Sequence, residues 1–335
     1  MADVLRKLLL FLCCSCPALF AADQASVVRG HGFLYTRLGN PVTAAVTPED
    51  GFFMAGGGRD PDEAFAWLCA KARNGDVLVL RAIAFDNYNP YLRRICPAVN
   101  SVATLIVTRE GAWDPVVAEI IRGATALFIS GGNQADYVNF WLDTPVQTEI
   151  NGLVARHVPV AGTSAGLHIL SEFVYTGSHG DARSLESLVN PFEERITLIR
   201  DFLSVPLLAG TVAEAHLRSR DRMGRAIVFL ARASAAGWGP IVSGIFLDES
   251  TALLVEPDGH SRLVGSGSAY FVRANTKPER CEPGRPLTFH NIHVYRLPQG
   301  GAFDLWSWTG SGGVAYTIHV QNGVLGSTQE GGAVY

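Results

Sequence analysis

Apolar runs alternate with amphipathic segments from Gly51 to Gly162. The runs predict buried strands at 51–55, 76–84, 102–108, 124–130 and 158–162. The segments between them predict helices at 60–73, 113–123 and 133–157, with a helix or loop at 88–96. Strands that are apolar on both faces are typical of parallel sheets. The alternation therefore predicts an α/β fold with a mostly parallel sheet that helices cover on both faces.

The pattern changes in the second half of the chain. Residues 226–236 predict a helix, and residues 243–256 predict a hairpin with Asp248 and Glu249 at its tip or strand end. From Gly259 onward, short alternating segments rich in Gly and Pro predict a β-rich part. No internal repeat or low-complexity linker separates the two halves. We therefore expect one α/β domain at 23–258, with a β-rich C-terminal part at 259–335 packed on it.

Residues 1–22 have the pattern of a secretory signal peptide. Arg6 and Lys7 precede an apolar run that ends at Cys16, and a cut is expected after Ala21 or Ala22. The run is too short to span a bilayer comfortably. We therefore expect a secreted or periplasmic protein with no membrane contact after the signal is removed.

Export would permit a disulfide among the remaining cysteines, which are Cys69, Cys96 and Cys281. Cys69 lies in an apolar helical segment and resembles a core residue, so we predict a Cys96–Cys281 bridge. These three cysteines have no CxxC spacing of the kind that indicates a metal site, and we expect neither a metal nor another cofactor. The net charge of −4 and the lack of a basic block argue against a nucleic-acid partner.

Residues 158–170, VPVAGTSAGLHIL, combine a predicted strand, a glycine-flanked turn and a helix-compatible segment. This context is typical of a nucleophile elbow, in which a serine lies on a cramped turn above the sheet. A side chain at Gly162 or Gly166 would collide with the backbone, and the following helix offers free N–H groups to an oxyanion. Ser164 is thus the candidate nucleophile, although small residues also suit an ordinary βα turn. Gly-rich turns at 56–58 and 131–132 follow other strands and are expected at the same edge of the sheet.

A serine nucleophile needs a base and an orienting carboxylate. His168 lies one turn after Ser164 and is interpreted as a packing residue, and the pair His290 and His293 as strand residues. His216 lies in an arginine-rich cluster, and Glu249 follows an apolar strand. The alternative is an α/β-hydrolase order of Ser164, Asp248 and His260 or His290, but the chain lacks the HGGG-type oxyanion loop of that fold.

Segments 131–134 (GGNQ), 161–166 (AGTSAG), 214–225 (EAHLRSRDRMGR) and 244–253 (GIFLDESTAL) resemble the motif set of cyanophycinases and cyanophycinase-like exopeptidases. That group is a serine peptidase clan which also includes aspartyl dipeptidase. The resemblance implies a flavodoxin-like three-layer sandwich similar to class I glutamine amidotransferases, and it implies that a homodimer can form.

The resemblance also implies a role for each matched residue. Ser164 matches the nucleophile, His216 the general base and Glu249 the acid that orients it. The N–H groups of Gly132 and Ala165 match the oxyanion hole. Further positions match residues that contact the substrate or shape its pocket: Gln134, Glu214, Arg220, Arg222 and Arg225.

The chain departs from the family pattern beside the base. The family commonly has Asp-Gln before this histidine, and here the residues are Glu214 and Ala215; Asn133 stands where cyanophycinases often have Asp. These changes put the substrate in doubt. The expected function is a secreted serine-type peptidase that hydrolyses cyanophycin, multi-L-arginyl-poly-L-aspartate, or related β-aspartyl or acidic peptides through an acyl-enzyme. The alternatives are a secreted esterase of α/β-hydrolase type and a binding pseudoenzyme without turnover.

Overall fold

The computed structural model describes residues 25–83 and 88–335, so the predicted signal peptide at 1–22 lies outside it. Strands and helices alternate up to residue 168. The strands are β1 Ala25–Gly30, β2 Phe33–Gly39, β3 Phe52–Ala55, β4 Asp76–Arg81, β5 Ser101–Val107, β6 Ala126–Ile129 and β7 Val160–Thr163. The helices are α1 Asp62–Lys71, α2 Tyr88–Ile95, α3 Pro115–Arg122, α4 Gln134–Trp141, α5 Pro145–Ala155 and α6 Ala165–His168.

Strands dominate after residue 168. They are β8 Phe173–Tyr175, β9 Leu198–Arg200, β10 Thr211–Glu214, β11 Val242–Leu247, β12 Thr251–Val255, β13 His260–Gly265, β14 Ala269–Ala274, β15 Phe289–Leu297, β16 Ala302–Asp304, β17 Thr309–Ser311, β18 Val314–Gln321 and β19 Val324–Ser327. The helices are α7 Ser184–Val189 and α8 Met223–Ala235, with short 3-10 turns at Gly111–Trp113, Pro206–Leu208 and Glu330–Gly332.

Two mixed sheets form the framework. The first sheet has the order β1-β2-β5-β4-β6-β7-β3-β12-β13-β16-β17, and its central strands β5, β4, β6, β7 and β3 are parallel. The second sheet has the order β19-β18-β15-β14-β11-β10-β8-β9 and is parallel only at β8, β10 and β11. The predicted α/β class with a β-rich C-terminal part is confirmed. The parallel pairings are restricted to the centre of the first sheet and to β11, β10 and β8 near one edge of the second.

Apolar layers hold these elements together. Helices α1 and α2 pack on one face of the first sheet through a core that includes Phe53, Phe65 and Phe128. The largest core lies on the other face of the first sheet, where helices α3 to α6 and the inner face of the second sheet meet it. Helix α8 covers the outer face of the second sheet. Because β12 pairs with both β3 and β13, strands from both sides of the predicted boundary at residue 258 belong to one sheet.

Two predicted elements are wrong in detail. The single helix expected at 133–157 is two helices, because Asp143 has a φ of 58° and Pro145 starts α5. The hairpin expected at 243–256 is a crossing from the second sheet to the first, since β11 pairs with β10 and β14 whereas β12 pairs with β3 and β13. Asp248 anchors this crossing by accepting hydrogen bonds from the N–H groups of Arg218 and Ser268.

The predicted Cys96–Cys281 bridge is also wrong. Cys69 in α1 is bonded to Cys96, which directly follows α2, and Cys281 is a free thiol. Cys69 is buried, as its apolar neighbours suggested. Burial did not exclude bonding, because α2 lies against α1 and brings Cys96 within a Cα–Cα distance of 6.1 Å.

Candidate active site

Ser164 occupies a strained turn between β7 and α6. Its φ of 51° lies in the left-handed region, which is unfavourable for a residue with a Cβ atom. The Ser164 N–H donates to the carbonyl oxygen of Ala55 at 3.0 Å and ties the turn to β3. A Cβ on Gly166 would lie 2.1 Å from the Ile129 oxygen, and one on Gly162 would lie 2.4 Å from the Gly166 oxygen. The elbow therefore requires glycine at both flanking positions.

Ser164, His216 and Glu249 form a continuous hydrogen-bonded chain. The hydroxyl Oγ of Ser164 lies 2.8 Å from Nε2 of His216, and Nδ1 of His216 lies 2.5 Å from Oε1 of Glu249. His216 follows β10 in the second sheet, and Glu249 lies at the crossing between the sheets. The structure thus brings the three predicted catalytic residues together from separate parts of the fold.

The backbone around β3 holds the His216 ring. The His216 N–H donates to the Gly56 oxygen at 2.8 Å, and His216 itself has a φ of 52°. A Cβ on Gly57 would lie 2.4 Å from Cε1 of the ring, so only glycine allows this approach. Together with Gly131, whose Cβ position is 3.5 Å from that of Ser164, these contacts place the glycine turns after β3, β6 and β7 in one crevice.

Electrostatics favour a neutral base. Burial lowers the pKa of His216, although its hydrogen bond to Glu249 acts in the opposite direction. The same hydrogen bond holds the pKa of Glu249 below its usual range. Because an ionised carboxylate only accepts hydrogen bonds, Nδ1 of neutral His216 carries the proton and Nε2 accepts from the Ser164 hydroxyl. This is the arrangement that a general base needs.

The candidate oxyanion donors flank the serine. Within residues 25–83 and 88–335, the N–H groups of Gly132 and Ala165 donate to no protein acceptor. Ala165 opens α6, where backbone N–H groups have no helical partner. The hydroxyl of Tyr137 donates to the carbonyl oxygen of Ser130 at 2.8 Å and fixes the turn that presents Gly132. The role of both N–H groups in an oxyanion hole remains a prediction.

A cleft of about 360 Å³ opens beside Ser164. Gln134, the first residue of α4, and Arg220 line it. The Arg220 side chain is 52% exposed, and its Nε lies 3.9 Å from Oε1 of Glu249. Arg220 is therefore a cation at the rim that an incoming anionic group can reach.

A buried ion-pair network forms the floor of this cleft. Glu214 accepts two hydrogen bonds from Arg225, each 2.8 Å long, and a third from Arg222 at 3.2 Å. Nε2 of His168 lies 3.3 Å from Glu214, and both arginines also bind the exposed carboxylate of Asp181. Burial alone raises the pKa of Glu214, but the charge of Arg225, followed by that of His168, outweighs burial and lowers it.

The network corrects part of the predicted substrate site. Glu214 and Arg225 are fully buried, and Arg222 is 6% exposed. Glu214 and Arg225 therefore shape the cleft from below and cannot touch a substrate in this conformation. Arg222 and Gln134 line the cleft wall. Of the three predicted arginines, Arg220 alone has an exposed guanidinium.

The sequence offered no signal for several supporting residues. Asp60 accepts hydrogen bonds from Thr163 at 2.6 Å and Tyr88 at 3.1 Å, and so holds the residue that precedes Ser164. Burial raises the pKa of Asp60. Asp60 is 103 residues from Thr163, and no local pattern connects positions so distant. Asp181 was likewise missed, although it binds the two arginines of the cleft floor.

The other candidate histidines lie in different surroundings. His260 is paired with Asp258 and Asp304, and His290 with Glu279. Across the part of the chain that the structure describes, no group of three or more His, Cys, Asp or Glu side chains could hold a metal ion. Helices in the same ranges are too short or too polar to cross a membrane.

Comparisons with known proteins agree with the motif resemblance. Residues 99–194 match the model of peptidase family S51, a range that includes both the GGNQ and AGTSAG segments. A cyanophycinase of Trichormus variabilis is 28% identical over 60% of this chain and 64% of its own. A cyanophycinase of Geminocystis herdmanii is 24% identical over 56% of this chain and 64% of its own. The matched region therefore spans about 64% of the length of these relatives.

A solved structure supports the fold. The crystal structure of a peptidase from an acI-B1 Actinobacterium superimposes with a TM-score of 0.52 and 16% sequence identity, covering 77% of this chain and 98% of the other. At that identity the likeness concerns the fold alone. The chain is therefore similar to peptidase family S51 over residues 99–194 and to cyanophycinases over about 60% of its length.

Proposed function

We propose that the protein is a serine-type peptidase that hydrolyses cyanophycin or related β-aspartyl or acidic peptides. The observation that carries the proposal is the hydrogen-bonded chain from Ser164 through His216 to Glu249. The match of residues 99–194 to a peptidase family supports a peptidase, and the names of the curated relatives support cyanophycin as the substrate.

The proposed reaction follows from this geometry. Nε2 of His216 removes the Ser164 hydroxyl proton while Oγ attacks the substrate carbonyl, and Glu249 stabilises the imidazolium that forms. The N–H groups of Gly132 and Ala165 hold the oxyanion, each such donor being worth on the order of 3 kcal/mol. His216 then protonates the departing amine. A water molecule, deprotonated by His216, hydrolyses the acyl-enzyme.

Charge at the cleft supports an acidic substrate. Arg220 presents an exposed guanidinium at the rim, which suits a substrate carboxylate. Ala215, where the family commonly has Gln, is fully buried in the core shared by the two sheets. Its side chain therefore cannot contact a bound peptide directly, and any effect of this departure on specificity passes through the neighbouring His216.

Incubating the mature protein with cyanophycin, β-aspartyl dipeptides and α-aspartyl dipeptides tests the substrate. We expect release of β-aspartyl-arginine from cyanophycin, no release by Ser164→Ala and weaker substrate binding by Arg220→Gln. Hydrolysis of only the α-aspartyl peptides would remove the proposed substrate class while leaving the peptidase class intact.

The esterase alternative requires another base. It predicts that His260→Ala or His290→Ala abolishes activity. The hydrogen bond between Ser164 and His216 instead predicts that His216→Ala abolishes activity. Ester hydrolysis that survives His216→Ala would support the esterase. A folded protein that binds acidic peptides without turnover would support the pseudoenzyme.

We further propose that the protein is secreted or periplasmic, with residues 1–22 as its signal peptide. The Cys69–Cys96 disulfide supports this location, because disulfides persist mainly in oxidising compartments. N-terminal sequencing of exported protein should begin at Ala22 or Asp23. Recovery of the chain only in the cytoplasm, with an intact N-terminus, would contradict the proposal.

A further inference from the structure

A second cleft lies on the second sheet, away from the catalytic residues. It has a volume of about 590 Å³, and Arg273 and Trp308 line it. Arg273 faces Ser243 across β11 and β14, near the start of β11, whereas Glu249 follows the end of that strand. At about 3.3 Å per strand residue, the two sites are roughly 20 Å apart.

Polar side chains cross this face of the sheet in register. Ser243 on β11 is opposite Arg273 on β14, which is opposite His293 on β15, which is opposite Thr317 on β18. Directly opposed residues of neighbouring strands have Cβ atoms about 5 Å apart and share one face. Thr328 closes the row, with its hydroxyl accepting from the Thr317 N–H at 3.0 Å.

Arg273 is held in place but lacks a counter-ion. Its Nε donates to the Ser243 hydroxyl at 2.9 Å, and its guanidinium lies 4.3 Å from the centre of the Trp308 ring. Over residues 25–83 and 88–335, no carboxylate binds Arg273, and its Nη1 and Nη2 make no hydrogen bond. None of the described residues that line the cleft is Asp or Glu.

The contrast with the buried arginines indicates an open anion site. Arg222 and Arg225 are each neutralised by Glu214 and Asp181. Arg273 is also partly removed from water, and burial lowers its pKa with no acidic group to offset the effect. A partly desolvated cation without a carboxylate is costly, and an incoming anion would recover that cost.

The aromatic wall defines the direction of approach. Trp308 contacts Phe271 and Phe303 edge-on, at ring-centroid distances of 5.9 Å and 5.3 Å, so its position over the guanidinium is fixed. The face of the Arg273 guanidinium is covered and Nε is occupied. The edge formed by Nη1 and Nη2 remains for two parallel hydrogen bonds, which is the geometry that a carboxylate matches.

We propose that this cleft is a second binding site, which takes a carboxylate-bearing ligand such as an acidic side chain or the C-terminus of a peptide. Arg273 holds the carboxylate along its Nη1–Nη2 edge, and His293 lies beside it on the next strand. The site is separate from the peptidase residues, and its existence does not depend on the proposed function. Phosphate shares the oxyanion chemistry and is the competing ligand to be distinguished.

Calorimetric titration of full-length mature Ser164→Ala protein at low ionic strength tests the site with succinate, inorganic phosphate and neutral succinamide. We expect saturable binding of succinate and no binding of succinamide. Arg273→Gln should lower the affinity for succinate roughly tenfold or more, because it removes a charge-assisted pair of hydrogen bonds. Arg273→Lys, which keeps the charge but loses the planar fork, should also bind succinate less tightly. Circular dichroism checks the fold of both variants.

Arg220→Gln is the matched control, because Arg220 is the exposed cation of the catalytic cleft. Succinate binding that survives Arg220→Gln and weakens in both Arg273 variants supports the site. Three outcomes would overturn it: no saturable succinate binding, equal binding by the Ser164→Ala protein with and without the Arg273 changes, or complete loss of binding in Arg220→Gln. Binding of phosphate without succinate would overturn the assignment to a carboxylate.

Discussion

Ser164 and His216 both have left-handed backbone conformations, with φ values of 51° and 52°. Such conformations cost on the order of 1–3 kcal/mol each and persist only where the surrounding structure enforces them. Here the carbonyl oxygens of Ala55 and Gly56 accept from the two N–H groups. The end of one strand, β3, thus fixes Ser164 and His216 relative to each other.

The pKa of His216 predicts how activity depends on pH. Because the base must be neutral and burial lowers its pKa below the ordinary value of 6.5, kcat/KM should rise with pH along a limb whose midpoint lies below pH 6.5. Activity is lost as pH falls through this lowered pKa. A pH profile of β-aspartyl peptide hydrolysis measures the limb, and a midpoint above pH 7 would contradict the assignment of His216.

Glu249→Gln tests the orienting carboxylate. The hydrogen bond to Glu249 raises the pKa of His216. Removing this hydrogen bond should therefore move the acidic limb of the pH profile to lower pH. We also expect kcat to fall on the order of 10⁴-fold, because the amide no longer selects the tautomer with the proton on Nδ1. Glu279→Gln alters another carboxylate paired with a histidine, His290, and should leave the profile unchanged. Equal activity of the two variants would remove Glu249 from the mechanism.

At this scale the sequence was informative where function constrains neighbouring residues. Ser164 could be predicted because glycines are needed immediately around it. The sequence alone did not select His216 and Glu249, because a serine-hydrolase order with Asp248 and His260 was also possible. Their selection required the family resemblance. The burial of Arg225 could not be predicted, because it depends on Glu214 and Asp181, which lie 11 and 44 residues away.

At the scale of elements, the ion pair between Glu214 and Arg225 joins β10 to α8. Glu214→Gln leaves Arg225 buried without its main counter-ion, so the free energy of unfolding at neutral pH should fall by about 3–5 kcal/mol. The pKa of Glu214 is lowered on folding, so its contribution is present above its ordinary pKa of 4.5 and is lost as pH falls through the lowered value. Urea unfolding at pH 7 measures the difference.

Glu63→Gln provides the control for this prediction. Glu63 pairs with Arg262, and both side chains are more than half exposed. Such surface pairs contribute about 0–1 kcal/mol. If Glu214→Gln were no more destabilising than Glu63→Gln, the floor of the cleft would not depend on its buried charges.

The disulfide joins α1 to the segment that follows α2. It closes a loop with a sequence separation of 27, for which the chain-entropy estimate is about 3.5 kcal/mol of stabilisation. The double variant Cys69→Ala, Cys96→Ala should therefore unfold at a clearly lower temperature than Cys281→Ala. Thiol titration of the mature wild-type protein should find Cys281 as a free thiol. Equal melting temperatures in the two variants would contradict a structural role for the bridge.

At the scale of the molecule, the candidate active site lies where two sheets meet. Ser164 comes from the first sheet, His216 from the second, and Glu249 from the crossing between them. The parallel centre of the first sheet was predictable because its strands are continuous apolar runs. The second sheet was not, since pairings such as β8 with β10 join short strands that are distant in sequence, and the crossing at 248–250 resembles a hairpin turn.

Covalent labelling with a fluorophosphonate probe, read by mass spectrometry of the peptide that contains Ser164, tests whether this junction is an active site. The expected result is one adduct on Ser164 in the wild type, none in Ser164→Ala, strongly reduced labelling in His216→Ala and unchanged labelling in His260→Ala. A folded wild-type protein that stays unlabelled, or equal labelling of Ser164→Ala, would contradict the assignment of Ser164 as the nucleophile.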